Sequence, residues 1–202
     1  MRHTRLAIVD SGVNPVHPHV APIAGGIGVT TDGLDPDYLD CLGHGTAVAG
    51  AIREKAPAAE IFAVKVFDRD LVTTGAVLLR AIDWCLDQQF EFINLSLGTP
   101  NACYVPAFEE RIQRAERIGA KIIAALNMNE QPAFPGSLPG VIAVELDRDC
   151  PRTQMAERQR NGRTVYAASG YPREIPGVPA RYNLQGISFA VANVTGLLAG
   201  RQ

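Results

Sequence analysis

The feature that most constrains the fold is an alternation of short apolar runs with longer stretches of helical periodicity. The apolar runs predict strands over residues 5–9, 60–67, 91–96, 120–126 and 140–146. Short runs of this kind, apolar throughout, suit strands of a sheet that is covered on both faces. The stretches between them predict helices over 44–55, 75–89, 106–119 and from about Ser188 to Gly200. In these helices apolar residues recur three and four positions apart, which places them on one side.

Strands that alternate with helices in this way are typical of parallel βαβ units. We therefore predict an α/β fold, a doubly wound and mostly parallel sheet with helices on both faces. No linker or internal repeat divides the chain, so a single domain over residues 1–202 is expected. The polar segments 11–43 and 147–163 are predicted to be long surface loops. On such a sheet, binding sites lie beyond the carboxyl ends of the strands.

Charge and hydropathy argue against two classes of partner. The chain has 19 basic and 21 acidic residues and a net charge of −2, so it lacks the basic excess that nucleic acid or an anionic membrane attracts. The apolar run at 6–9 is too short for a signal peptide, and no apolar stretch approaches the roughly 20 residues of a membrane span.

The four cysteines show no C-x-x-C spacing and are expected to be reduced thiols. We expect a cytoplasmic protein.

Three short motifs bring reactive side chains to predicted element boundaries. Asp10 ends the first strand in Val-Asp-Ser-Gly, His44 opens a helix in His-Gly-Thr, and Ser188 precedes an apolar helix in Gly-Ile-Ser-Phe-Ala. Each has a structural explanation alone: an Asx turn, an exposed histidine at a helix end, and a serine N-cap. Together they predict a nucleophile, a general base and a carboxylate that orients the base.

These motifs resemble the three signatures of the subtilisin-like serine peptidases, the subtilases, in which Asp, His and Ser follow each other in this order. Residues 93–98 (INLSLG) resemble the strand that lines the substrate in that family. Residues 139–144 (PGVIAV) resemble the strand after its oxyanion segment. The resemblance covers nearly the whole chain and implies a serine endopeptidase.

The resemblance implies a role for each motif. Ser188 would attack the scissile carbonyl, and His44 would take its proton and pass it to the leaving amine. Asp10 would hold the tautomer of His44 and stabilise its charged form. A peptide or protein substrate is therefore expected. The sequence leaves the oligomeric state open.

Further residues take roles by the same resemblance. Asn127 would donate its side-chain amide to the oxyanion, with Asn129 as the alternative. Ser96, Leu97 and Gly98 would pair with an extended peptide as an added strand.

Some positions depart from the family pattern. Leu126 stands where the family usually has Gly, Ile187 stands where it usually has Thr, and a Pro after the serine motif is missing. These departures motivate an alternative, a peptide-binding module with little or no activity. An esterase of the α/β-hydrolase type is a weaker hypothesis, because no G-x-S-x-G motif surrounds Ser188.

No metal and no cofactor are predicted. His17 and His19 lack a third ligand pattern nearby. The carboxylates between residues 32 and 40 lack the regular spacing of a calcium loop, so structural calcium is possible in principle but unsupported. These carboxylates, Asp32, Asp35, Asp37 and Asp40, are expected to form a solvated loop.

The aspartate motif begins close to the first residue, which suggests the absence of a signal peptide and a pro-segment. An intracellular peptidase without a pro-segment needs a narrow substrate range to be harmless. We therefore predict maturation of a dedicated precursor or leader peptide.

Overall fold

The computed structural model of the chain describes residues 3–201. The expected domain of 1–202 also includes residues 1, 2 and 202, which lie outside that range. The strands are β1 Arg5–Asp10, β2 Gly25–Val29, β3 Leu34–Asp35, β4 Glu60–Lys65, β5 Phe92–Leu95, β6 Lys121–Ala125, β7 Asn127–Met128, β8 Gln131–Pro132, β9 Ile142–Leu146, β10 Met155–Arg160 and β11 Arg163–Ala168. The α-helices are α1 His44–Lys55, α2 Gly75–Asp87, α3 Val105–Ile118 and α4 Ile187–Ala199.

Nine of the strands form one sheet in the order β10-β11-β9-β6-β5-β1-β4-β2-β3. The pairs from β11 to β2 are parallel, and the two outermost pairs, β10–β11 and β2–β3, are antiparallel. The prediction of a mostly parallel sheet is confirmed. β7 and β8 form a separate small hairpin.

Apolar cores lie on both faces of the sheet. In β1, Leu6 and Ile8 belong to the core that α1 and α4 cover, whereas Ala7 and Val9 belong to the core under α2 and α3. Successive side chains of a strand point to opposite faces, so a strand buried on both sides has no polar positions to alternate. This explains the unbroken apolar runs and confirms helices on both faces.

The prediction of surface loops over 11–43 and 147–163 is wrong in part. The first segment contains β2 and β3, and the second contains β10. β10 pairs with β11 through a turn at Asn161 and Gly162, whose φ angles are 50° and 78°. An Asn-Gly pair is the strongest short signal for such a turn, because both positions need positive φ.

The carboxyl ends of β1, β5 and β6 are neighbours at one edge of the sheet. β1 ends at Asp10, β5 leads into Ser96, and β6 leads into Asn127. Residues from three separate parts of the sequence therefore meet at the edge where α/β sheets bind ligands.

Candidate active site

Asp10 and His44 form the central contact of the site. The Nδ1 atom of His44 lies 2.7 Å from Oδ1 of Asp10, across 34 residues of sequence. The carboxylate is fully buried, and its Oδ1 also accepts the backbone N–H of Ser11 at 2.7 Å. When Nδ1 of the neutral ring donates to the carboxylate, the lone pair is on Nε2, as a general base requires.

Local backbone geometry allows this approach. α1 begins at His44 directly after Gly43, whose φ of 78° is left-handed. A Cβ at Gly45 would lie 2.1 Å from the carbonyl oxygen of Gly12 and 3.2 Å from the Cβ of Asp10. Only glycine lets the first turn of α1 lie this close to the end of β1.

Asp40 anchors the start of α1, so the expectation that it belongs to a solvated loop is wrong for this residue. Its Oδ1 accepts hydrogen bonds from Ser11 Oγ and from the backbone N–H groups of Leu42 and Gly43, each at 2.9 Å. Its Oδ2 accepts from the N–H of Thr46 at 2.8 Å and from its Oγ1 at 2.6 Å. A carboxylate that accepts free N–H groups at a helix start fixes that turn.

Two carboxylates control the charge of His44. Burial lowers its pKa, but the hydrogen bond and charge of Asp10 and the charge of Asp40 raise it by more, so the net pKa lies above its ordinary value. The second oxygen of Asp10 is buried without a hydrogen-bond partner among residues 3–201, which favours a positive charge beside it. His44 therefore becomes a usable base at a higher pH than an ordinary histidine.

Ser188 is the second residue of α4. Its backbone N–H is one of the first four of the helix, which have no acceptor within the helix. Its Oγ donates to the carbonyl oxygen of Ser96 at 3.2 Å. Over residues 3–201 the structure contains no hydrogen bond between Ser188 and His44, although the ring of the adjacent Phe189 lies 5.3 Å from that of His44, centre to centre.

Two buried amides, whose structural roles the sequence did not predict, hold α4 against the sheet edge. Asn94 is fully buried, donates to Ser96 Oγ at 2.9 Å and accepts from Thr195 Oγ1 at 2.9 Å. Asn193, also fully buried, donates to the carbonyl of Ser169 at 2.8 Å. A single polar residue inside the apolar run of β5 was the available signal for Asn94.

The segment Ser96, Leu97 and Gly98 continues β5 at the sheet edge. Leu97 is buried, whereas Ser96 and Gly98 are half-buried. Within the described part of the chain, Leu97 and Gly98 make no backbone-to-backbone hydrogen bond. A Cβ at Gly98 would lie 3.0 Å from the carbonyl oxygen of Phe134, so a side chain there would be crowded. The segment could pair with an added strand, and its role in binding stays a prediction.

Asn127 lies in the β7–β8 hairpin, and its side chain is exposed. The preceding Leu126 is not among the described residues with positive φ, and its N–H donates to Val144 at 2.8 Å, so this position does not require glycine. Asn129 and Glu130 have φ angles of 49° and 63° and form the turn of the hairpin. This gives Asn129 a local structural role, while the oxyanion role of Asn127 stays a prediction.

Other predicted features have simple structural descriptions. Over residues 3–201, no group of three or more His, Cys, Asp or Glu side chains is placed to hold a metal ion. The cysteines Cys41, Cys85, Cys103 and Cys150 are unpaired. In the same range, no helix combines the length and the apolar character needed to cross a lipid bilayer.

The sequence also matches a known family and several named proteins. The sequence model of the Subtilase family matches residues 2–200. A thermostable alkaline protease of Halalkalibacterium halodurans is 32% identical over 96% of this chain and 55% of its own length. Subtilisin E of Bacillus subtilis is 27% identical over 96% of this chain and 52% of its own length. The chain thus spans about half the length of these relatives.

Proposed function

The chain belongs to the subtilase family, and we propose that it is a serine endopeptidase that uses Asp10, His44 and Ser188. One observation carries the proposal: the 2.7 Å contact between His44 Nδ1 and the buried Asp10. A proton on Nδ1 at this contact leaves the lone pair on Nε2, as a base needs, and Ser188 lies in the first turn of α4. The relatives that are named proteases support the same activity.

In the proposed reaction the hydroxyl of Ser188 turns from the carbonyl of Ser96 to Nε2 of His44. Such a turn is a change between staggered side-chain rotamers. The oxygen attacks the substrate carbonyl while His44 takes the proton, and Asp10 stabilises the resulting imidazolium. His44 then gives the proton to the leaving amine, and the acyl group remains on Ser188 as an ester. Water attacks this ester with His44 again as the base, which releases the acid and restores the hydroxyl.

The negative oxygen of each tetrahedral intermediate needs hydrogen-bond donors placed in advance. The N–H of Ser188 at the start of α4 is one donor, and the positive end of the helix favours the same charge. We assign the side-chain amide of Asn127 as the other. The proposed steps use no metal and no cofactor.

We further propose that the enzyme works in the cytoplasm on a dedicated precursor or leader peptide. The exposed and unpaired thiols of Cys41 and Cys103 support a reducing compartment. Within the described residues, Leu97 and Gly98 leave their backbone groups without backbone partners, which supports a peptide substrate that binds as an added strand.

Digestion assays test both levels of the proposal. Wild-type enzyme should cut internal bonds of unfolded polypeptides at few positions, and Ser188→Ala should cut none. Digestion of casein as broad as that of a secreted subtilisin would contradict the narrow processing role alone. Cleavage that persists in Ser188→Ala would contradict the proposed nucleophile.

A second candidate function is a peptide-binding module of the subtilase fold. The hydrogen bond from Ser188 Oγ to Ser96 favours it, since a serine held there is not aligned with His44. The module would bind peptides with equal affinity before and after Ser188→Ala and would show no turnover. The intact pair of Asp10 and His44 favours the peptidase, because a binding module has no use for a buried, oriented base.

A further inference from the structure

A groove of about 640 Å³ opens beside His44. Its walls are the loop at 14–19, the start of α1 and the segment 172–184. Of the residues that line the groove, only Asp40, which anchors α1, has a role in the proposed reaction. The proposed reaction therefore does not explain why a groove is present here.

The position of the groove relates it to one half of a substrate. Gly43 and Thr46, which line it, flank His44 in the chain, and the segment 172–184 leads directly into α4 and Ser188. Residues 96–98 do not belong to its lining. Because His44 must reach the leaving amine, a chain that continues from this amine passes over the turn that carries His44. The groove can hold the residues that follow the scissile bond.

One wall of the groove is apolar and exposed. Ile175, Tyr182 and Leu184 keep 44%, 70% and 48% of their surface accessible, which is high for large side chains that line a concave surface. Apolar surface that remains exposed in a groove marks a binding region, because covering it removes it from water.

The same segment, 172–184, also carries the cation of Arg173. The guanidinium of Arg173 donates from Nη1 to the carbonyl of His19 at 3.3 Å, and no ion pair joins Arg173 to a carboxylate among residues 3–201. Nearby carboxylates are engaged elsewhere: Asp40 by the start of α1, and Glu54 by Lys55 and Arg152. The positive charge of Arg173 therefore favours an anion at its own part of the groove, while Asp40 keeps a negative charge at the start of α1.

The effect of the Arg173 charge is visible at His19. Burial lowers the pKa of His19, and the charges of Arg173 and His17 lower it further, against an opposing contribution from Glu54. His19 thus stays neutral over a wider pH range, and the permanent cation of the groove is Arg173. Its guanidinium can bind a carboxylate with paired, charge-assisted hydrogen bonds.

We propose that this groove binds the substrate residues that follow the scissile bond. It selects an acidic side chain, which pairs with Arg173, and beside it an apolar side chain, which packs on Tyr182 and Leu184. The inference rests on the proposed peptidase function and names its substrate class, a peptide that is acidic and apolar on the leaving side.

A library of random octapeptides, with cleavage products identified by mass spectrometry, tests the proposal. Wild-type enzyme should enrich Asp and Glu over Asn and Gln about fivefold within three positions after the cut, as a partly exposed ion pair provides. Arg173→Gln should lose this preference, and Arg173→Lys should keep part of it. Arg69→Gln, at a side chain that is 95% exposed, is the matched control and should leave it unchanged.

A binding arm separates failure of this inference from failure of the proposed function. If wild-type enzyme cuts no peptide, the same library is equilibrated with Ser188→Ala and the retained peptides are sequenced. The retained peptides should be enriched in Asp and Glu, and this enrichment should disappear when Arg173→Gln is added to Ser188→Ala. That result supports the acidic preference of the groove even if the enzyme shows no turnover. Three results would overturn the proposed acidic preference. Peptides with acidic and with amide side chains are retained equally, or the enrichment survives Arg173→Gln. The third is that wild-type enzyme cuts no peptide and Ser188→Ala retains none.

Discussion

The two halves of the candidate site are held very differently. On the side of the base, His44 is fixed by a 2.7 Å contact to Asp10, and Asp40 accepts five hydrogen bonds of 2.6–2.9 Å around the start of α1. On the side of the nucleophile, Ser188 Oγ makes one hydrogen bond of 3.2 Å, and Asn127 is exposed on a small hairpin.

The difference indicates which part of the proposed catalytic machinery is in place before a substrate binds. A buried base needs its partner at all times, because an unpaired buried charge is costly. A hydroxyl or an exposed amide pays little free energy before substrate binds, because water or a backbone carbonyl can serve as its hydrogen-bond partner. We infer that the base is preorganised and that the substrate completes the arrangement of Ser188 and Asn127.

Removal of the base or of the nucleophile should have the largest effect. His44→Ala and Ser188→Ala should each lower kcat by about 10⁴-fold or more, and the double variant should be no worse, because the two act as a unit. Steady-state kinetics on one cleaved peptide measures this. Effects that multiply in the double variant would contradict a shared role.

Loss of the oxyanion donor should have the next largest effect. Asn127→Ala should lower kcat by about 10²–10³-fold with little change in KM, because the contact forms only in the transition state; this range is the one known for subtilisin, a member of the family. The control is Asn129→Gly, which removes the neighbouring amide while it tolerates the φ of 49°. A larger loss in Asn129→Gly would assign the role to Asn129 instead.

Asp40→Asn should have a moderate effect with a distinct pH signature. The negative charge of Asp40 helps to raise the pKa of His44. His44 must be neutral to act as a base, so without this charge the acidic limb of kcat/KM should move to lower pH. The loss at the optimum should be about tenfold, below the 10²-fold that about 1 Å of misplacement causes.

The control for this prediction is Asp32→Asn, an exposed carboxylate of the same loop. It should leave both the pH profile and the rate unchanged. An acidic limb that stays in place in Asp40→Asn would show that Asp40 acts on helix geometry alone.

The smallest effect on activity should come from Asn94→Ala, which acts on the support of the nucleophile. The change leaves the half-buried hydroxyl of Ser96 and the buried hydroxyl of Thr195 without this partner and should lower the free energy of unfolding by about 2 kcal/mol. Activity should fall only a few-fold. Thermal unfolding beside Gln113→Ala, an exposed control on α3, measures the difference.

Sequence alone predicted the parts of the molecule that follow from periodic apolar patterns. β1, β4, β5, β6 and β9 and all four helices of the described range lie within about two residues of their predicted positions. The strands that were missed are β2, β3, β7, β8, β10 and β11. β2 is rich in glycine and β10 is mostly exposed and polar, so both lack the apolar signature of the central strands.

The candidate site was predictable as a set of residues but not as a geometry. Motif order predicted Asp10, His44 and Ser188, because the proposed chemistry requires these residue types. Asp40 contacts the start of α1 because of the path that its loop takes, and Ser188 Oγ contacts the carbonyl of Ser96 because of its side-chain rotamer. Local sequence determines neither the path of the loop nor the rotamer.

The most direct test of the central claim is labelling with a fluorophosphonate, followed by intact mass measurement. Wild-type protein should gain the mass of one adduct, Ser188→Ala should gain none, and His44→Ala should react far more slowly, because only an activated serine attacks the reagent at a useful rate. Folded wild-type protein that gains no adduct, or Ser188→Ala protein that gains the same one, would contradict the claim that His44 activates Ser188.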